Sequence, residues 1–187
     1  MLEITPKIFL FPIIALTIIV ICYAIISRSI DNKILFRKLI FTQTILGYAL
    51  NFLWEILHSH LYQGYVYNMQ HILFGALASV ADVIMMLLLY FVFSFLLKDP
   101  YWVQKITIPR IILVILVGGT GTLISEMIHL SQGDWAYNPT MPIIPRVNVG
   151  LSPFLQFAIL PLSIYWLSFY FLKVRASPPN YSKKFFI

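Results

Sequence analysis

The sequence predicts an all-α fold, a polytopic membrane helical bundle of five transmembrane helices, and three observations carry that prediction. Of 187 residues, 60% are hydrophobic and only 11% charged, against about 25% charged in an average soluble domain. Five apolar stretches are each long enough to cross a hydrocarbon core of about 30 Å at about 1.5 Å per helical residue. These stretches are too long and too continuously apolar for barrel strands of about 9–11 residues, and lipid offers their backbone groups no water.

The predicted spans are 8–26, 39–58, 71–97, 111–130 and 151–172, within a single membrane domain. The first is read as a helix and not as a signal peptide. Its apolar run is too long, its basic residues follow it, and no small-x-small cleavage site appears. It holds the only cysteine, Cys22, so no internal disulfide can form and packing is its expected role. The thirteen basic residues follow loop parity. Arg28, Lys33, Arg37 and Lys38 follow the first span; Lys98, Lys105 and Arg110 separate the third and fourth; Lys173, Arg175, Lys183 and Lys184 follow the fifth. Only Lys7 and Arg146 fall on the other side. This bias puts the N-terminus outside and the C-terminus in the cytoplasm. The net charge of +6 is therefore topological, which argues against a nucleic-acid partner. The segment 173–187 reads as a flexible basic tail.

The two external connections differ from the cytoplasmic ones. "LYQGYVYNMQ" is uncharged and rich in tyrosine. The segment 131–150 carries Trp135, Tyr137, Arg146 and three prolines. A connection of that length in so small a protein is expected to be an ordered cap or a belt of interfacial aromatics.

Polar residues inside the spans line up rather than scatter, because positions three or four apart share a helix face. The second span offers Thr44, Tyr48, Asn51, Glu55 and His58; the third, His71, Gly75, Ser79 and Asp82; the fourth, Gly118, Thr122, Glu126 and His129; the fifth, Ser152, Gln156 and Ser163. The first has no such stripe. Spans two to five are thus expected to enclose a polar interior near the external side, with the first packed outside it. An acidic residue at a helix centre costs about 2.5–3.5 kcal/mol on an insertion scale. One such residue is as well explained by a polar clamp between helices; Glu55, Asp82 and Glu126 together point to function. Asn51, Gln156, Trp135, Tyr137 and Arg146 are the expected substrate-binding residues around them.

Two chemistries compete at that site. Glu55-x-x-His58 and Glu126-x-x-His129 repeat a pattern that four-helix carboxylate proteins use for two metals, with two further glutamates. Those glutamates are missing here; Asp82 and His71 are the substitutes, but His71 is expected near the surface, well above Asp82. A single Zn or Fe held by some of Glu55, His58, Glu126 and His129 is geometrically easier, and His60 is a weaker candidate. The second chemistry needs no metal: one protonated carboxyl serves as general acid and an ionised one as base, in a cavity fed from the lipid. "GGTGT" at 118–122 lacks the lysine of a phosphate loop and fits close helix packing. No Gly-x-Ser-x-Gly elbow appears.

The phrases "LWEILHSHLY", "ASVADV", "SEMIHLSQGDWAYNPTMP" and "GLSPFLQF" resemble an uncharacterised family of small bacterial polytopic membrane proteins. The resemblance covers roughly residues 51–161. It implies a membrane location and shared importance for the positions of Glu55, Asp82 and Glu126, and it implies no activity. It lends less weight to His58 and His129, which favours the carboxylate chemistry over a metal.

The sequence as a whole leads us to expect a multi-pass protein of the bacterial inner membrane, acting as an enzyme on a lipid-like or isoprenoid substrate drawn from the membrane. The alternatives are a small proton-coupled transporter or metal carrier, in which a homo-oligomer would make good the small size, and a non-catalytic assembly protein that binds partner helices. In a Cys22→Ala background, a single cysteine at Asn138 should react with an impermeant maleimide added to intact cells, and one at Gln104 should not. The reverse pattern would invert the topology.

Overall fold

The computed structural model describes residues 10–172. The first two residues of the expected first span and the expected tail 173–187 lie outside the described residues. Five helices long and apolar enough to cross a membrane follow one another: α1 (Leu10–Ser29), α2 (Lys33–His58), α3 (Met69–Leu96), α4 (Ile108–Gln132) and α5 (Leu151–Phe171). A two-residue hairpin, β1 (Ile143–Ile144) and β2 (Val149–Gly150), precedes α5.

The elements agree with the predicted spans except at their ends, where local polar chemistry extends them. α2 begins six residues earlier than its apolar run because Asn32 caps it, its side-chain oxygen accepting from the Leu35 N–H at 2.9 Å. Asn68 caps α3 in the same way through the His71 N–H. Capping satisfies donors that the first turn would leave open. α4 stops at Gly133, whose φ of 75° lets the chain turn in the left-handed region that favours glycine.

In the packing, α2 lies between α3 and α5, α4 packs on α5, and α1 leans on the outer side of α3. α1 touches the bundle along a narrow stripe of Ala15, Ile19 and Ile26, and most of its large apolar side chains are exposed. It stands outside the polar interior, as its lack of a polar stripe predicts.

The end of the bundle that carries the basic loops is an aromatic core. Trp102, from the connection between α3 and α4, sits fully buried among Tyr90, Phe93 and Tyr165, with ring centroids 5.4–6.1 Å away. Its indole N–H donates to the Tyr90 carbonyl at 3.3 Å, and the Arg110 guanidinium binds the carbonyls of Trp102 and Lys105. Tyr101 hydroxyl reaches the Asn32 carbonyl at 3.1 Å, tying this connection to the start of α2. The large aromatic payload and the satisfied polar tips make this the rigid half of the molecule.

The close approach expected at "GGTGT" is the α4–α5 contact. Pro161 has no N–H to return to the Phe157 carbonyl one turn earlier, and Gly118 presses its α-carbon against that oxygen. A Cβ at Gly118 would stand 2.8 Å from it, whereas one at Gly121 would meet nothing within 4 Å. Gly118→Ala should therefore cost about 1–3 kcal/mol by overpacking against backbone, seen as a lower unfolding midpoint in mild detergent, while Gly121→Ala should leave the midpoint unchanged or slightly higher.

Candidate functional site

At the opposite end from the aromatic core, polar side chains of α2, α3 and α5 converge on one amide. Gln156 Nε2 lies 3.0 Å from Asn51 Oδ1, 3.0 Å from Asp82 Oδ2 and 3.3 Å from Glu55 Oε1. Gln156 and Asn51 are buried, Glu55 and Asp82 half-buried. A primary amide has two hydrogens for these three acceptors, so the contact is shared rather than one bond per partner. Asn51 is held from behind, its own amide donating to the Gly47 carbonyl at 2.8 Å. Gly47 faces Met86 and Val83 of α3, and the missing side chain lets α2 and α3 approach closely enough to bring Asn51 and Asp82 to one glutamine.

One turn further along α2, His58 extends the cluster. Its Nε2 is 3.1 Å from Glu55 Oε1 and its Nδ1 is 3.0 Å from Ser152 Oγ at the start of α5. The tautomer that satisfies both contacts carries its proton on Nε2, donating to Glu55, and accepts from the Ser152 hydroxyl at Nδ1. Aromatic rings wall the imidazole, Tyr62 at 5.4 Å and Trp54 at 6.4 Å between centroids.

Glu126 of α4 is buried and receives two donors from the loop that follows it. The Tyr137 hydroxyl donates to Oε2, and the Trp135 indole N–H donates to the same oxygen at 3.3 Å. Trp135 stacks on His129 with centroids 4.3 Å apart, and His129 Nδ1 lies 2.6 Å from Asp134 Oδ2. The phrase "SEMIHLSQGDWAY" thus folds back on itself.

The connection between α2 and α3 and the one between α4 and α5 form one cap over both groups. The Gln63 N–H donates to the Ala136 carbonyl and the Asn138 N–H to the Leu61 carbonyl, each at 2.8 Å, around a bridge between Tyr62 and Tyr137. Tyr62 sits at the centre. Burial pushes its phenol far above the ordinary tyrosine range, and the fields of Glu126, Glu55, Tyr137 and Asp82 push it further. All three carboxyls therefore lie within electrostatic reach of one side chain, although they come from three helices.

Among the expected site residues, Asn51, Glu55, His58, Asp82 and Gln156 meet directly, while Glu126, Trp135 and Tyr137 form the neighbouring group. His129 belongs to that second group through Trp135 and Asp134. Arg146 stands apart: it is exposed in the hairpin turn with φ 74°, and it makes no hydrogen bond or ion pair with these carboxyls. His60 is exposed, and its carbonyl accepts from Asn138. His71 is half-buried at the start of α3, where its ring faces Asn68 and Tyr65.

Two assignments on the polar stripes are corrected. On α2 the inward face runs through Gln43, Gly47 and Asn51, so Thr44 is one position off it and Tyr48 is exposed, stacked on Phe52. On α5 the Ser163 hydroxyl returns to the Ile159 carbonyl of its own helix. Gln43 was missed because an isolated glutamine carries no sign of which neighbour spacing it obeys until the packing fixes the face. Ser152 reaches His58 across 94 residues of chain, a contact that no local spacing announces.

For a metal, the donor set fits poorly. Among the described residues no three His, Cys, Asp or Glu side chains converge as ligands, and the imidazoles of the two Glu-x-x-His pairs already face separate carboxylates, His58 to Glu55 and His129 to Asp134. Comparison of the chain with protein-family models, curated proteins and solved structures finds no match, so the reading rests on the site's own chemistry.

The cap is held to the bundle by the Tyr137–Glu126 contact, and this gives a pH dependence. Burial, then the hydrogen bond to Glu126, raise the Tyr137 phenol above the ordinary tyrosine range. A phenol raised in the folded protein contributes stability fully below about pH 10, the unfolded value, and loses it as pH climbs through the folded one. Hydrogen exchange of segment 134–150, corrected for intrinsic rates, should stay slow up to about pH 10 and accelerate above it; Tyr137→Phe should show the faster exchange already at neutral pH.

Proposed function

We propose that this protein is a multi-pass enzyme of the bacterial inner membrane, acting on a lipid-like substrate by proton transfer at Glu55, Asp82 and Glu126. The observation that carries this reading is the Gln156 amide, which brings acceptors from α2 and α3 together within 3.3 Å. A purely mechanical clamp between helices needs one donor and one acceptor. Gathering two carboxyls and a carboxamide around one amide, with a third carboxyl beneath the same cap, concentrates acid–base groups where water is scarce, and there they act most strongly on a bound substrate.

The surroundings favour a substrate that arrives through the membrane. The helices expose Leu53, Leu57, Leu73, Leu77, Ile124 and Met127 around the levels of Glu55, Asp82 and Glu126, a surface suited to acyl or isoprenoid chains. Trp135, Tyr137 and Tyr62 supply rings and hydroxyls at the level of a headgroup. Asn51 and Gln156 are the neutral hydrogen-bonding groups that would orient its polar end.

A second reading has one observation in its favour. Gln43 is fully buried on α2, about 12 Å below Asn51, with neither amide atom partnered by protein, and Ser168 on α5 is buried with its hydroxyl unpartnered. Internal water at these groups would carry a polar path toward the basic end, as proton-coupled transport requires.

Purification in mild detergent followed by lipid mass spectrometry separates the readings. Wild type should retain a defined lipid that Glu55→Gln, Asp82→Asn or Glu126→Gln each changes in amount or identity. Unchanged lipid in all three variants would remove the enzyme reading, and proton uptake by reconstituted vesicles that Gln43→Leu abolishes would establish transport in its place.

A further inference from the structure

We propose that Ser152 is a nucleophile, activated by His58 and Glu55, that takes an acyl group from a lipid ester. This rests on the lipid-directed reading above and narrows it, with His58 carrying the proton and Glu55 acting through His58. The chain of contacts is continuous: Ser152 Oγ to His58 Nδ1 at 3.0 Å, then His58 Nε2 to Glu55 Oε1 at 3.1 Å. A hydroxyl, an imidazole and a carboxylate in this order are the three parts that acyl-transfer enzymes on unrelated folds use, recognised by geometry and not by sequence order. The ring is turned so that Nδ1 faces the hydroxyl and Nε2 the acid. Either nitrogen serves as base provided the other donates to an orienting acceptor.

The imidazole is held as such a base requires. His58 is buried, Tyr62 and Trp54 wall its ring, and Glu55 Oε1 is fixed from its other side by Gln156. Ser152 lies in the first turn of α5, where the helix presents partial positive charge that favours an oxyanion on the attacked carbonyl. Depth selects the substrate. α5 is 21 residues long and apolar enough to cross a membrane, so a span of that length sets its first turn near one edge of a hydrocarbon core of about 30 Å, close to the ester carbonyls of membrane lipids.

The reaction balances without a further reagent but water. Ser152 Oγ forms a bond to the ester carbonyl carbon as its proton passes to His58 Nδ1. The tetrahedral intermediate then expels the alkoxide, which takes that proton from His58 and leaves as the alcohol. Water attacks the acyl-serine, giving a proton to His58; collapse returns it to Ser152 Oγ and releases the fatty acid. Glu55, in contact with Nε2, orients the ring and stabilises the imidazolium.

A long-chain alkyl fluorophosphonate tests this on the full chain in lipid nanodiscs, since serine attack displaces fluoride and leaves a covalent adduct located by peptide mass spectrometry. We expect the adduct on Ser152, none in Ser152→Ala, and labelling at least about 100-fold slower in His58→Ala; Ser163→Ala should label like wild type. Ser152→Cys guards against misfolding of the alanine variant. Its iodoacetamide alkylation should be faster with His58 present than with His58→Ala. Absence of the Ser152 adduct in wild type, or an equal rate in His58→Ala, overturns the proposal. Wild type that holds lipid sensitive to the carboxyl variants yet gives no adduct loses the nucleophile and keeps the lipid-directed reading; an adduct without bound lipid supports the nucleophile and removes that reading's own support.

Discussion

Hydrocarbon offers a polar side chain no water, which favours pairing inside the protein; the three acceptors around Gln156 are the main result of that constraint. Leaving an amide or hydroxyl unpaired in an apolar medium costs about 2–7 kcal/mol, depending on the reference. Asn51, Glu55 and Asp82 therefore favour the one arrangement of α2, α3 and α5 in which a single amide serves all three. The same bonds that fix the helices create the acidic centre. The contacts that fix the helices and those that make up the candidate site are one set.

The molecule divides along its length into two kinds of interior. Toward the basic loops, Trp102, Tyr90, Tyr165 and Phe93 fill the space with rings, and their polar tips bind backbone. Toward the cap, small residues and hydrogen-bonding groups replace them: Gly47, Gly75, Ser79, Asn51 and Gln156. The ring-packed half is held by apolar contact and bonds to backbone, whereas the polar half gathers Glu55, Asp82 and Glu126. A tightly packed half thus supports one built of hydrogen-bonding groups.

The cap joins the parts that helix packing alone leaves separate. α3 and α4 barely touch, so Glu126 is not brought to Asp82 by a helix interface. It is drawn in through Tyr137 and Trp135, whose loop pairs by backbone with the loop leaving α2. Tyr62 stands where these loops meet, facing His58, Trp135 and Tyr137. The cap therefore joins Glu126 to the group around Gln156 through loop contacts and not through a helix interface.

The sequence alone determined five membrane-length helices and, in outline, polar stripes on four of them, because hydropathy and a period of 3.6 are local properties that survive any packing. It also pointed to Glu55, Asp82 and Glu126, since charge is rare in lipid wherever the helices lie. Tertiary structure decided the rest. Which face of α2 turns inward depends on Gly47 meeting α3, and so Gln43 replaced Thr44 and Tyr48 on the inner side. His58 had an i, i+3 carboxylate legible in sequence, yet its second partner, Ser152, lies 94 residues away. Only the packing of α5 beside α2 could make them neighbours. Arg146 shows the converse: a charge in the right loop, carried outward by the left-handed turn of the hairpin.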